Sequence, residues 1–205
     1  EIGEPKELVK VRIIRLRERL RLLHRILGDD PGYGQMIDGD DHGYVTVNIS
    51  GGTVIGTEAV FGTTRPSHLN TGNVYGGSMG RLTLADGNIN PIWPNLAKVK
   101  HTEINISDSA VIRASVFGGS ELGTVTGNTK INITSPKVKI GTVKRDNNDS
   151  VLYRFGSLFG GGYGTDRTDS INGTTSNRIA GRVSGNAEVN INEGTIANNV
   201  FGGGR

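Results

Sequence analysis

The chain has 205 residues, of which 32 are Gly, 34% are hydrophobic and 5% are aromatic. That composition excludes a Leu-rich helical bundle for the whole chain, and collagen is excluded because the glycines do not recur at every third residue. The net charge of +3 comes from one end: residues 1–28 hold eight Lys/Arg and four Glu, whereas residues 29–205 hold fifteen Lys/Arg and sixteen Asp/Glu. The basic balance is therefore not a nucleic-acid footprint of the whole protein, and no nucleic-acid partner is expected. No apolar run has membrane-spanning length, and no signal peptide is read at the start. Cys is absent, so there is no disulfide framework from which to read a redox compartment.

Residues 1–30 read as an N-terminal amphipathic α-helix. Pro5 suits a first helical position, Glu4 and Glu7 suit the positive end of the dipole, and Gly28 followed by Asp29-Asp30-Pro31-Gly32 supplies a stop. Val9, Ile13, Leu16, Leu20, Leu23 and Leu27 form an a/d stripe along one face. The stripe is expected to pack on the body of the protein as a cap. Pairing with another chain and lying on an anionic surface are the alternatives. Residues 31–42 read as an acidic linker.

From residue 43 the chain repeats itself. Alternating stretches recur as Val45-Thr46-Val47-Asn48-Ile49, Thr102-Glu103-Ile104-Asn105-Ile106, Thr129-Lys130-Ile131-Asn132-Ile133 and Ala187-Glu188-Val189-Asn190-Ile191. Period-2 alternation of β-branched residues predicts half-buried strands. A second motif places an apolar residue, an aromatic and glycines in a row: Val74-Tyr75-Gly76-Gly77, Val116-Phe117-Gly118-Gly119, Leu158-Phe159-Gly160-Gly161 and Val200-Phe201-Gly202-Gly203. These aromatics are 42 residues apart, but the spacing between motifs implies a unit of about 26 residues plus one insertion per interval. The insertions are placed near 85–101, 135–155 and 163–180.

Three short strands per unit, Gly corners and in-line Asn predict an all-β right-handed parallel β-helix, a β-solenoid, over residues 43–205. A β-propeller is the rival, and irregular insertions argue against its blades. Val, Ile and Phe are expected inside, and Asn48, Asn105, Asn132 and Asn190 outside. The chain stops within a repeat motif, so it reads as a piece of a longer array.

The repeated VFGGG, GxVxGN and VNIxxGxI units resemble the Gly-rich, adhesin-like surface proteins of Bacteroidetes. The resemblance covers about residues 43–205 and implies secretion and attachment at the cell surface or outer membrane. It carries no catalytic residues. Asp108-Ser109-Ala110, Asp149-Ser150-Val151 and Asp169-Ser170-Ile171 resemble the O-glycosylation tripeptide of those bacteria.

Candidate chemistry is sparse. Gly39-Asp40-Asp41-His42-Gly43 is superficially like the Gly-Asp-Asp element of β-helix polysaccharide hydrolases, which cut glycosidic bonds with paired carboxylates. It lies in a connector without companion motifs, so a solvated acidic turn is expected and no catalytic residue is assigned. Asp38, Asp40 and Asp41 offer hard oxygens that suit Ca²⁺, but not at EF-hand spacing. No cofactor is expected, with Ca²⁺ as the alternative. Gly161-Gly162-Tyr163-Gly164-Thr165-Asp166 matches the start of a Ca²⁺-binding nonapeptide, yet Thr168 stands where an apolar residue belongs. The four His have no metal-ligand spacing.

The insertions are the stronger candidates for binding, because extra segments of repeat proteins often build a binding face. Trp93 and Asn95 suit sugar stacking and hydrogen bonding, and Lys137, Lys139, Lys144 and Arg145 suit an anionic glycan. The expected function is a non-catalytic, adhesin-like surface protein that binds a glycan or protein ligand through displayed loops. A β-helix polysaccharide lyase or hydrolase is one alternative. A structural segment of a surface filament, assembled through the N-terminal helix, is the other. Further repeats of the same or a neighbouring chain are expected as partners.

Overall fold

The alternating stretches form strands that lie parallel and in register. The structure, a computed structural model, describes residues 11–12, 43–57, 72–80, 83, 86–90, 98–166, 168, 170–171, 174–175 and 179–205. A first circuit of the chain comprises β1 (Val11–Arg12), β2 (Tyr44–Ile49), β3 (Val54–Ile55) and β4 (Val74–Tyr75). A second comprises β5 (Lys98–Val99), β6 (His101–Ile106), β7 (Val111–Ile112) and β8 (Val116–Phe117). A third runs through β9 (Thr124–Val125), β10 (Thr129–Ile133), β11 (Lys139–Ile140), β12 (Thr142–Arg145), β13 (Val151–Phe155) and β14 (Leu158–Phe159). The last holds β15 (Ser170–Ile171), β16 (Thr174–Thr175), β17 (Ala187–Ile191), β18 (Thr195–Ile196) and β19 (Val200–Phe201).

Each circuit visits three sheets in the same order. The first sheet runs β1-β2-β6-β10-β17, the second β18-β11-β7-β3 and the third β19-β14-β8-β4. All pairings within these three sheets are parallel except that of β1 with β2. A smaller parallel sheet joins β5 to β9, and Val125 bridges on to Val183. The described residues are all-β in character, with parallel sheets. Of the span expected to be helical, only Val11–Arg12 are described, and they form a strand antiparallel to β2. The stripe from Val9 to Leu27 lies outside the described residues.

In-register pairing places like residues in columns. Val47, Ile104, Ile131 and Val189 form one column, and Ile49, Ile106, Ile133 and Ile191 another. Ile55, Ile112, Ile140 and Ile196 rise in the second sheet, with Val74, Val116, Leu158 and Val200 in the third. The inner members of these columns make one apolar cluster, and each fully buried Ile, Val or Leu stabilises by about 1.5–3 kcal/mol relative to exposure.

The alternate positions of the first sheet face away from this core, and they are polar. Asn105 Nδ2 donates to Asn48 Oδ1 at 3.0 Å, Asn132 Nδ2 to Asn105 Oδ1 at 2.7 Å, and Asn190 Nδ2 to Asn132 Oδ1 at 2.9 Å. The asparagines therefore form the expected outward ladder, flanked by a Lys130–Glu188 ion pair at 3.3 Å.

The glycine pairs have a steric cause. Gly76 N–H donates to Phe117 O at 2.9 Å, Gly118 N–H to Phe159 O at 2.8 Å and Gly160 N–H to Phe201 O at 2.9 Å. A Cβ on Gly76, Gly118 or Gly160 would run into the carbonyl oxygen of the equivalent glycine in the next circuit. Buried Thr102 and Thr129 then close their own circuits, donating from Oγ1 to Gly118 O at 2.5 Å and Gly160 O at 2.6 Å.

The aromatic residues form a group of their own. Each follows a core Val or Leu in a two-residue strand, so its side chain points to the opposite face of the sheet. Tyr75, Phe117, Phe159 and Phe201 make a separate stack with ring centroids 5.1, 4.7 and 4.9 Å apart. Phe117 is buried, as expected, but it lies in this stack and not in the apolar cluster of Ile, Val, Leu and Ala side chains.

Candidate functional site

The best-described projection from the columns is the β12–β13 hairpin. Gly141 (φ 85°) and Gly156 (φ 87°) form its neck. Both occupy the left-handed region that favours glycine, and a Cβ on either would meet the other's backbone. The tip is built by Asp146, whose Oδ1 accepts from the N–H groups of Asn148 at 2.9 Å and Ser150 at 2.8 Å. Asp-Asn-Asn-Asp supplies the side chains that favour such a turn.

The basic candidates do not form one patch. Lys144 and Arg145 lie on β12, but Arg145 turns onto its own hairpin: Nη1 donates to Asp149 O at 2.7 Å, and Nε lies 3.6 Å from Asp149 Oδ1. Arg154 Nη1 donates to Ala197 O at 3.2 Å, which ties the hairpin to the next circuit. Lys137 lies in the turn before β11, and Lys139 opens β11 in a column with Val54, Val111 and Thr195. Sequence reasoning missed Val151 and Leu152, which are exposed on the hairpin. Their signal was the apolar start of Val-Leu-Tyr-Arg-Phe, too short to separate from a core strand. Trp93, Asn95, Asp38, Asp40 and Asp41 lie outside the described residues. Among the described residues, no three His, Asp or Glu side chains group as metal ligands do.

A second cluster joins distant segments. Tyr163 sits edge-on to Phe117 at 5.3 Å and to Tyr75 at 6.3 Å, and the Arg205 guanidinium lies 4.5 Å from the Tyr163 ring centroid. Burial, with the Glu121 charge second, pushes the Tyr75 hydroxyl up to about 12, while Asn73 donates to its oxygen at 3.2 Å. Burial also raises Glu121. Tyr163 lies in the segment that matches the start of a Ca²⁺-binding nonapeptide, and here it packs against the aromatic stack. Of the glycosylation tripeptides, Ser109 Oγ donates to Gly51 O at 2.9 Å, whereas Ser150 is exposed at the hairpin tip. Asp169 lies outside the described residues.

Compared with protein-family models, curated proteins and solved structures, the chain matches none at a significant level.

Proposed function

We propose that the chain is a β-solenoid, a right-handed parallel β-helix, acting as a non-catalytic, adhesin-like display module at the cell surface. The right hand follows from the strong preference of parallel crossover connections. What supports the reading is three sheets of parallel strands paired in register, from which the β12–β13 hairpin projects. The stack supplies rigidity, and the hairpin offers exposed Val151 and Leu152 beside the charged Arg145 and Arg154 to a glycan or protein ligand.

The hairpin can be removed cleanly. Joining Gly141 to Gly156 leaves three residues between Ile140 and Leu158, as between Ile112 and Val116 and between Ile196 and Val200. The chain lacking 142–155 is expected to keep its strand-rich circular dichroism and to lose binding to a glycan array and to intact host-cell surfaces. Equal binding by both forms, or none by the parent chain, overturns the display reading.

A further inference from the structure

We propose that the outer edge of β13 pairs with the same strand of a second copy of this chain, so that the partner of the hairpin is another hairpin. The proposal rests on the display reading and names the protein ligand which that reading leaves open.

The hairpin is a sheet of two strands. Each strand therefore presents one side that no other strand pairs with among the described residues, and such an edge is a template for a further strand. The chain is described without a break from 98 to 166, so this edge lies well inside it and does not arise where the sequence stops. The apolar part of the edge is on β13. Val151 is 38% and Leu152 51% exposed. The register steps from Lys144 opposite Tyr153 to Arg145 opposite Val151, so Leu152 is the extra residue of a bulge and faces no residue of β12.

Charge selects the occupant. Asp149 stands just before β13 with its side chain 85% exposed, and Arg154 stands near the other end of the strand. Around a two-fold axis at Leu152, antiparallel pairing brings Val151 and Leu152 of both copies together and lays the tip of each hairpin beside the neck of the other. Asp149 then falls one residue from the position opposite Arg154 of the second copy, within reach of that long side chain, and the contact is made twice. Parallel pairing would set Asp149 beside Asp149 and Arg154 beside Arg154, which repel. Pairing through β12 would crowd Lys144 and Arg145 against their own counterparts. Both charged residues can take the new contact. The Arg145–Asp149 pair at 3.6 Å is exposed, so Asp149 exchanges partners at little cost. Arg154 donates Nη1 to Ala197 O, and a guanidinium has further N–H donors to offer. One short strand per copy makes a weak contact, which gains strength when many copies are displayed together.

Sedimentation equilibrium of the full chain, up to about 0.5 mM to populate a contact of the weak class, is expected to show a reversible monomer–dimer equilibrium. Leu152→Lys should weaken the dimer about tenfold. Asp149→Lys and Arg154→Glu should each weaken it by about tenfold or more, because each sets like charges together at both contacts. An equimolar mixture of those two variants should restore the dimer, since only the mixed pair has opposite charges at both contacts; damage to either hairpin would not be repaired by mixing. A parent chain that stays monomeric, a dimer that survives loss of 142–155, assembly beyond the dimer, or a mixture that associates no better than its components overturns the proposal. The two levels separate. If loss of 142–155 abolishes binding to host-cell surfaces or to a glycan array while the parent stays monomeric, display stands and the second copy fails as its partner. If that loss leaves such binding unchanged, the display reading itself fails.

Discussion

Gly118→Ala places one methyl group where two circuits meet. Gly118 N–H donates to Phe159 O at 2.8 Å, and Gly118 O accepts from Thr102 Oγ1 at 2.5 Å. The new Cβ would strike the Gly160 carbonyl oxygen and lie 3.1 Å from its carbon and 3.3 Å from Thr129 Cβ. Backbone cannot rotate away as a flexible side chain can, so the circuits must separate locally. Overpacking costs about 1–3 kcal/mol, and weakening two hydrogen bonds adds about 0.5–1.5 kcal/mol each. A loss of roughly 2–6 kcal/mol is a large share of the ~5–15 kcal/mol that holds a native protein together. At about 2–4 °C per kcal/mol for a chain of this size, the melting temperature should fall by roughly 10 °C in thermal circular dichroism. Gly202→Ala is the control: the same methyl group meets nothing, and reduced freedom of the unfolded chain makes it neutral or stabilising by up to about 1 kcal/mol. Equal melting of the two variants would refute the close stacking of circuits.

Asn132→Asp replaces a donor to Asn105 Oδ1 and Glu103 Oε1 by an acceptor. It should cost about 1–3 kcal/mol at neutral pH, with the penalty relative to parent shrinking as the new carboxylate protonates; urea melts at two pH values check this. Spectrophotometric titration at 295 nm should contain a tyrosine component with a midpoint near 12 that Tyr75→Phe removes. Glu121→Gln should move that midpoint down without restoring the ordinary value, because burial is the larger cause. Glu121 itself binds its proton more tightly folded than unfolded, so its contribution is fully present below about pH 4.5 and is lost as pH rises through the raised folded value. Glu121→Gln should flatten that part of the stability–pH curve.

The columns were legible because their residues recur with period 2 and keep their order: Asn48, Asn105, Asn132 and Asn190 align from the motif alone, and the structure joins them by hydrogen bonds. The side of the sheet was harder to assign for the aromatics. A two-residue strand such as Val116–Phe117, buried at both residues, has no alternation to show which residue joins the apolar cluster and which the aromatic stack. The Tyr75, Glu121, Tyr163 and Arg205 cluster was not legible, because it forms only when segments from separate circuits are stacked. The hairpin's basic residues were legible as a composition, but their separation from Lys137 and Lys139 depends on where the chain leaves the column, which Gly141 and Gly156 fix through backbone conformation.

The most direct test of parallel, in-register stacking is a nuclear Overhauser experiment on the full chain with labelled aromatic rings and asparagine side-chain amides. The account predicts ring contacts between Tyr75 and Phe117, Phe117 and Phe159, and Phe159 and Phe201, together with amide contacts linking Asn48, Asn105, Asn132 and Asn190 in that order. Contacts in any other order, or absence of contacts between residues 42 positions apart, would contradict it.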